Sequence, residues 1–350
     1  MNGERLRAAR NEMKMSQGDL REALNARLNR SYDKSRISRW ENDREAIPME
    51  VIKELELILS SNTKKAHIIA LANQKGGVGK TTSALNLASA LRRAGLRVLL
   101  IDLDPQASAT DWILGQAGSK LHKDGKSIVH AVLKDKPLSD VIVSSDLDIG
   151  SGPRAFDIVG SHIDLSEADG RREPGFEHSL AEAIEVIAID YDFIIVDAPP
   201  NLGLMTYMAL VAADTVIVPV QTEPPDAMGV ALLLSTVQKI QRRLNPHLRV
   251  GGILPTRYNS RQVVDREVLH HLIQYTSGKA VVLEPIPDSA VFGNAAWGGS
   301  IAVDASPRSK AVGPYIRLAN ALAKGEPPPL ALLNLDATID GSATDAAEVG

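Results

Sequence analysis

Residues 67–91 read HIIALANQKGGVGKTTSALNLASAL. An apolar run, a glycine cluster between two lysines, and an alanine- and leucine-rich stretch with helical spacing follow one another, which predicts strand, loop and helix. Glycines let backbone N–H groups close around phosphate oxygens, and the start of the helix adds partial positive charge. In that geometry Lys80 reaches the β- and γ-phosphates of a nucleotide and Thr81 offers its hydroxyl to Mg²⁺. The strict pattern G-x-x-x-x-G-K-[ST] fails at its first position, which is Gln74. What stands instead, Lys75-Gly76-Gly77-Val78-Gly79-Lys80-Thr81-Thr82, is the more specific signal. A glycine-rich turn without ligand is the alternative, and it accounts poorly for so many glycines and lysines at fixed places.

Working outward, the segments 97–102 (RVLLID), 192–197 (DFIIVD), 215–220 (TVIVPV) and 249–254 (RVGGIL) are also strand-like, with amphipathic helical stretches between them. Near-continuous apolar strands alternating with helices predict a mostly parallel sheet covered on both faces. The expected fold is a doubly wound α/β P-loop domain over 67–323. Residues 1–59 are helical in pattern and form a small all-α domain, and 60–66 form a polar linker. The tail 324–350, with three consecutive prolines and an acidic character beyond them, is expected to be disordered.

Composition narrows the chemistry. The chain of 350 residues has no cysteine, which removes disulfides, a thiolate nucleophile, zinc–cysteine sites and cysteine-held iron–sulfur clusters. Aromatic residues make up 4%, so the core must be built from Ala, Val, Ile and Leu. The charged start MNGERLRAARNEMK has no signal-peptide core, and no apolar run approaches the roughly 20 residues of a membrane span. A cytoplasmic protein without membrane contact is expected. The net charge of −4 hides an asymmetry, since residues 1–65 carry 14 Lys+Arg against 11 Asp+Glu, a net of +3. That is weak support for nucleic-acid contact, because footprints depend on clustering rather than totals.

The region 67–323 resembles the deviant Walker A ATPases, and within them the ParA-type DNA partition ATPases. The resemblance rests on KGGVGKTT (75–82), VLLIDLDPQASAT (98–110), YDFIIVDAPPNLGLMTYMAL (191–210), VIVPVQTEP (216–224), and the later PIPDSA and DASPRSKAV. It implies ATP and Mg²⁺ as cofactors and an ATP-dependent homodimer. Lys80 would hold its own subunit's nucleotide, while Lys75 would cross the interface to the neighbour's. A Lys75 acting in cis, or merely solvated, is the alternative. Asp104 is expected to orient the attacking water, Asp102 to support the magnesium shell, and Asp197 to reach the metal through water. Turn or cap aspartates are the alternative for these strand-end acids. The loops 255–257 and 287–289, with Arg257, Pro287 and Asp288, are expected beside the adenine. Two departures stand out: Ala107-Ser108 replaces the usual glycine-asparagine, and Asp288 replaces an arginine, which leaves the base contacts open.

Residues 15–59 resemble the Cro/repressor-type helix-turn-helix. Ser16 is the expected N-cap of the first motif helix, and SRISRWEN (35–42) matches the recognition helix. Ile37 and Trp40 would face the core, leaving Lys34, Ser35, Arg36, Ser38 and Arg39 toward DNA, on bases or phosphates. The stretch 25–36 exceeds the usual turn, so docking geometry is open, and a helical bundle that only dimerises or meets a protein is the alternative. A second, nonspecific DNA surface is implied by the ParA resemblance at Lys239, Arg242, Arg243, Arg257, Arg261 and Arg266. Lys239, Arg242 and Arg243 fall outside the apolar stripe of Leu233, Val237, Ile240 and Leu244.

The implied function is DNA segregation. An ATP-closed dimer would coat nucleoid DNA, a ParB-like centromere-binding partner would trigger hydrolysis, and the N-terminal domain would repress its own operon. A nucleotide-controlled transcriptional regulator and a ParA-like positioner of non-DNA cargo are the alternatives. A membrane-cycling ATPase of the Min type needs a basic amphipathic C-terminal helix, unlike this acidic, proline-broken tail.

Overall fold

The computed structural model describes residues 3–12, 15–62, 65–146, 155–171, 173–222 and 226–331. The chain divides into two compact units between Lys65 and Ala66.

The first unit has four helices: α1 (Gly3–Glu12), α2 (Gln17–Leu28), α3 (Lys34–Glu41) and α4 (Met49–Asn62). Ser16 caps α2 through a capping box in which its side chain accepts from Asp19 N–H, while the Asp19 carboxylate accepts from Ser16 N–H. Two otherwise orphaned donors are satisfied this way. The long stretch 25–36 is resolved by extending α2 to Leu28, after which Asn29 closes the helix in the left-handed region at φ 48°. Leu6, Leu20, Leu24, Ile37, Trp40, Val51 and Leu55 form the core, each no more than 1% exposed. Helix α4 continues through Asn62, so the first residues of the expected linker are helical; 63 and 64 lie outside the described residues.

The second unit is built on six strands: β1 (His67–Leu71), β2 (Val98–Asp102), β3 (Asp157–Val159), β4 (Phe193–Asp197), β5 (Thr215–Gln221) and β6 (Arg249–Thr256). Their order is β3-β2-β4-β1-β5-β6, and every pair is parallel. The expectation of a mostly parallel sheet is thus met by a wholly parallel one. The short edge strand β3 was not expected. Alternate residues feed the two faces: Ala70, Leu99, Ile194 and Val216 pack on one side, and Ile69, Leu100, Ile195 and Ile217 on the other. Both faces are dry, as an all-parallel sheet requires. Removing one such side chain, as in Ile195→Ala, should cost about 2–5 kcal/mol.

The register positions the chemistry. Asp197 lies opposite Leu71 on one side and Asp102 on the other, so three strand ends finish level. The loop after β1 then leads into helix α5 (Lys80–Arg93) over that edge, the place where parallel sheets bind ligands. The expected disorder of the tail is corrected over its first residues. Ala331 N–H donates to the Val282 carbonyl and Glu284 N–H to the Pro329 carbonyl, both at 2.9 Å. Prolines lack a donor but still accept, so they tolerate an edge position. Residues 332–350 lie outside the described residues. Among the described residues no helix is long and apolar enough to cross a membrane.

Candidate nucleotide-binding site

The glycine loop is held from below by the tips of neighbouring strands. Gly77 and Gly79 take φ of 76° and 82°, a region costly for any residue with a Cβ. Thr256 at the end of β6 donates its hydroxyl to the Val78 carbonyl at 2.9 Å, and Gln221 at the end of β5 donates to the Gly77 carbonyl at 3.2 Å. Asn73 bridges Pro219 and Lys75, donating to the Pro219 carbonyl at 2.7 Å and accepting the Lys75 N–H at 3.1 Å. None of these three braces was expected from sequence, and nothing local marks them.

Above the loop lies a cleft of about 700 Å³. Of the expected nucleotide residues, Gly76, Gly77, Gly79, Lys80, Thr81, Thr82, Arg257, Pro287 and Asp288 line it, and so does Asp104. Thr256 and Ser289 line it too, within the expected loops 255–257 and 287–289, whereas sequence reasoning missed Trp112, Phe292 and Tyr315, which line the same cleft. Trp112 is fixed by donating its indole N–H to the Ser300 carbonyl at 2.9 Å. Tyr315 meets Phe292 edge to face at 6.0 Å and shares a hydrogen bond with Ser83 at 2.9 Å. Val78 is buried. Lys75 is not among the lining residues, although its carbonyl accepts a hydrogen bond from Lys80 Nζ at 3.1 Å.

The acids behind the loop are unequal. Asp102 is fully buried, and its Oδ2 accepts from Thr110 N–H at 2.8 Å and Thr110 Oγ1–H at 2.7 Å. Its Oδ1 accepts from Asp104 N–H at 3.2 Å. Burial outweighs these hydrogen bonds and pushes its carboxyl up to about 6. Asp104 accepts from Gln106 N–H at 2.9 Å. Asp197 is 1% exposed, and neither of its oxygens has a partner in hydrogen-bond geometry. Burial and the adjacent Asp102 raise it well above the ordinary carboxylate range, with Thr81 and Lys80 close enough to oppose the rise in part. Burial likewise lowers Lys80, against the pull of Asp197 and Asp104. A buried carboxylate with two orphaned oxygens beside a threonine hydroxyl and a phosphate loop is a donor set that fits a hard divalent cation such as Mg²⁺.

The family model described as AAA domain matches residues 66–250. The chromosome-partitioning ATPase Soj of Thermus thermophilus is 38% identical over 255 residues, covering 73% of this chain and 94% of that protein. The chain belongs to the ParA-type P-loop ATPase family. An uncharacterized protein of Mycobacterium tuberculosis is 42% identical over 211 residues, covering 60% of this chain and 64% of that relative's length. Among solved structures, the cobyrinic acid a,c-diamide synthase of Mycobacterium smegmatis with ADP and magnesium superposes with a TM-score of 0.64. That structure is 33% identical and is covered completely, using 77% of this chain.

The basic residues expected on DNA are exposed, apart from the half-buried Arg36. Lys239, Arg242 and Arg243 project from the helix Asp226–Arg243, whose Leu233, Val237 and Ile240 are buried. Arg261 and Arg266 are exposed, with Arg266 donating to the Ser260 carbonyl at 2.9 Å, whereas Arg257 lies at the cleft. On α3, Lys34, Ser35 and Arg39 are exposed, and Arg36 and Ser38 are half-buried. Arg36 and Arg39 are both occupied, donating to the two oxygens of Glu45 at 2.9 and 3.0 Å. Ser35 donates to Asp33 Oδ1, the cap of the same helix.

Proposed function

We propose that this chain is a DNA-segregation ATPase that binds ATP with Mg²⁺, dimerises around two nucleotides, and carries nucleoid DNA in the cytoplasm. The observation that carries the reading is the unsatisfied, buried Asp197 carboxylate behind a glycine loop that carries Lys80 into the same cleft. Its kinship with a chromosome-partitioning ATPase supports the biological role.

Thr81 and Asp197 would hold Mg²⁺, with Asp102 supporting from the next strand; bound there, the ion neutralises phosphate oxygens. The chain's own groups do the rest. Backbone N–H groups of residues 76–80 cradle the phosphates, Lys80 places its ammonium on them, and Asp104 orients the attacking water. Lys75 acts in trans as a cation supplied to the partner's nucleotide, where charge builds as the phosphoryl group transfers. Loss of the γ-phosphate removes that contact and opens the dimer. A ParB-like centromere-binding protein stimulates the step. Lys239, Arg242, Arg243, Arg261 and Arg266 grip DNA phosphates without sequence choice, and the first unit is a helix-turn-helix domain that recognises an operator through α3.

A nucleotide-controlled regulator is the second reading, favoured by the capped four-helix unit ahead of the ATPase. The deciding test is affinity for random-sequence duplex DNA with ATP and with ADP, from about 50 to 200 mM salt. Tight, salt-sensitive binding with ATP alone is expected. Weak binding in both states would remove the carrier and leave the regulator.

A further inference from the structure

We propose that His122, His162 and Asp164 form a site for a divalent transition metal of the zinc class, separate from the nucleotide cleft. Among the described residues this is the one group of three such side chains whose ligand atoms all lie within 4.8 Å of one another. His122 lies in the last turn of the helix Gln116–Lys123, and His162 caps the 3-10 turn Ile163–Gly170 that follows β3. Their rings stack in parallel, 3.7 Å apart and tilted by 6°. His122 Nε2 lies 3.0 Å from Asp164 Oδ2, and His162 Nδ1 lies 3.3 Å from the same oxygen. Donors on a tetrahedral zinc ion with bonds near 2.1 Å sit about 3.4 Å apart, so the donor atoms already stand at ligand spacing, and binding would turn one ring out of the stack so that its in-plane lone pair meets the ion.

The protons argue for a cation. His162 Nδ1 accepts from the Asp164 N–H at 3.3 Å, so that nitrogen presents a lone pair. It nevertheless faces the Asp164 carboxylate, a second acceptor. A metal ion would take the place of the Asp164 N–H at that lone pair and bind the carboxylate beside it, turning that opposition into shared ligation. His122 is oriented as a metal ligand is: its Nδ1 shares a hydrogen bond with buried Ser127 Oγ at 2.9 Å, and Ser127 Oγ meets His130 Nδ1 at 2.9 Å. Two imidazoles and one carboxylate suit zinc, cobalt or nickel better than magnesium.

The site also touches the catalytic edge. Ser161 N–H donates to Thr110 Oγ1 at 2.7 Å, and Thr110 Oγ1–H donates to Asp102 Oδ2 at 2.7 Å. A metal on His162 would therefore pin the segment that holds Thr110 against Asp102.

The test uses the full chain, stripped with chelator and kept free of nucleotide, titrated with Zn²⁺ by calorimetry and with Co²⁺ by visible absorption. One equivalent of Zn²⁺ with micromolar or tighter affinity, intense tetrahedral Co²⁺ bands and a Tm raised by a few degrees are expected. His122→Gln and His162→Gln should each weaken binding at least tenfold, while Asp197→Asn should leave it intact. A wild-type chain that binds no Zn²⁺ overturns the proposal whatever the variants do. So does binding that survives the double histidine variant, or binding lost in Asp197→Asn, which would place the ion in the cleft.

Discussion

Lys80 Nζ donates to the Lys75 carbonyl at 3.1 Å, so the backbone of the loop's first lysine receives the ammonium of its second. The two side chains nevertheless belong to different surroundings, since Lys80 is 6% exposed and lines the cleft while Lys75 does not line it. Substitutions should separate them. Lys80→Ala should weaken ATP binding by roughly 10²-fold or more, because a phosphate clamp is lost. Lys75→Ala should bind ATP within about threefold of wild type yet lose roughly 10³-fold in hydrolysis, the scale of a cation supplied in trans. Nucleotide affinity and turnover on the same preparations check this, and normal turnover by Lys75→Ala would sink the in-trans role.

Asp102 should mark the protein's pH response. Its carboxyl is raised by burial from the ordinary 3.8 to about 6, so the folded state binds this proton more tightly than the unfolded chain. The resulting stability is complete below about pH 3.8 and is lost as pH rises through 6, amounting to about 1–3 kcal/mol. Asp102→Asn has no charge to bury. Its Tm should exceed that of wild type at pH 7.5 in the absence of Mg²⁺, with the gap closing toward pH 4. A gap that is constant with pH would mean Asp102 stays ionised throughout.

Glu45 holds both arginines of α3, Arg36 and Arg39. All three side chains are at least 30% exposed, so the pairs do little for stability. Glu45→Gln should leave Tm nearly unchanged and strengthen duplex binding by roughly 2- to 10-fold, with a salt slope steeper by about 0.9 for each phosphate newly reached. Electrophoretic or fluorescence titrations at several salt concentrations read both quantities. Unchanged affinity and slope would show that these arginines do not meet DNA.

Arg242 and Arg243 end the helix Asp226–Arg243 on its exposed side. Replacing both by alanine should lower the salt slope of ATP-dependent binding to random DNA by about 1.8, two contacts at 0.9 each. ATPase activity without DNA should stay the same, since neither residue lines the cleft. An unaltered slope would move the DNA surface elsewhere.

Much of this was legible because the signals are local. The run from His67 to Leu91 carries its strand, loop and helix in consecutive residues, and Asp102 and Asp197 each end an apolar run. What escaped depends on distant partners or on brevity. Strand β3 has three residues, too few to show a period. Gln221 and Thr256 look like ordinary strand ends until their loop partners, 144 and 178 positions away, are brought to them. The prolines after Glu326 argued against order, yet Pro329 needs only its carbonyl to join the edge. Trp112, Phe292 and Tyr315 are scattered through the chain, and only the fold gathers them at one cleft.

The hydroxyl of Thr256 reaches back 178 positions to Val78. The phosphate loop is therefore not finished when its own residues have been made. At about 5–20 residues per second, a nascent chain carries its glycines for about 10–35 s before the strand that braces them leaves the ribosome. During that interval the loop lacks its far support, so nucleotide capture should begin only once β6 has joined the sheet.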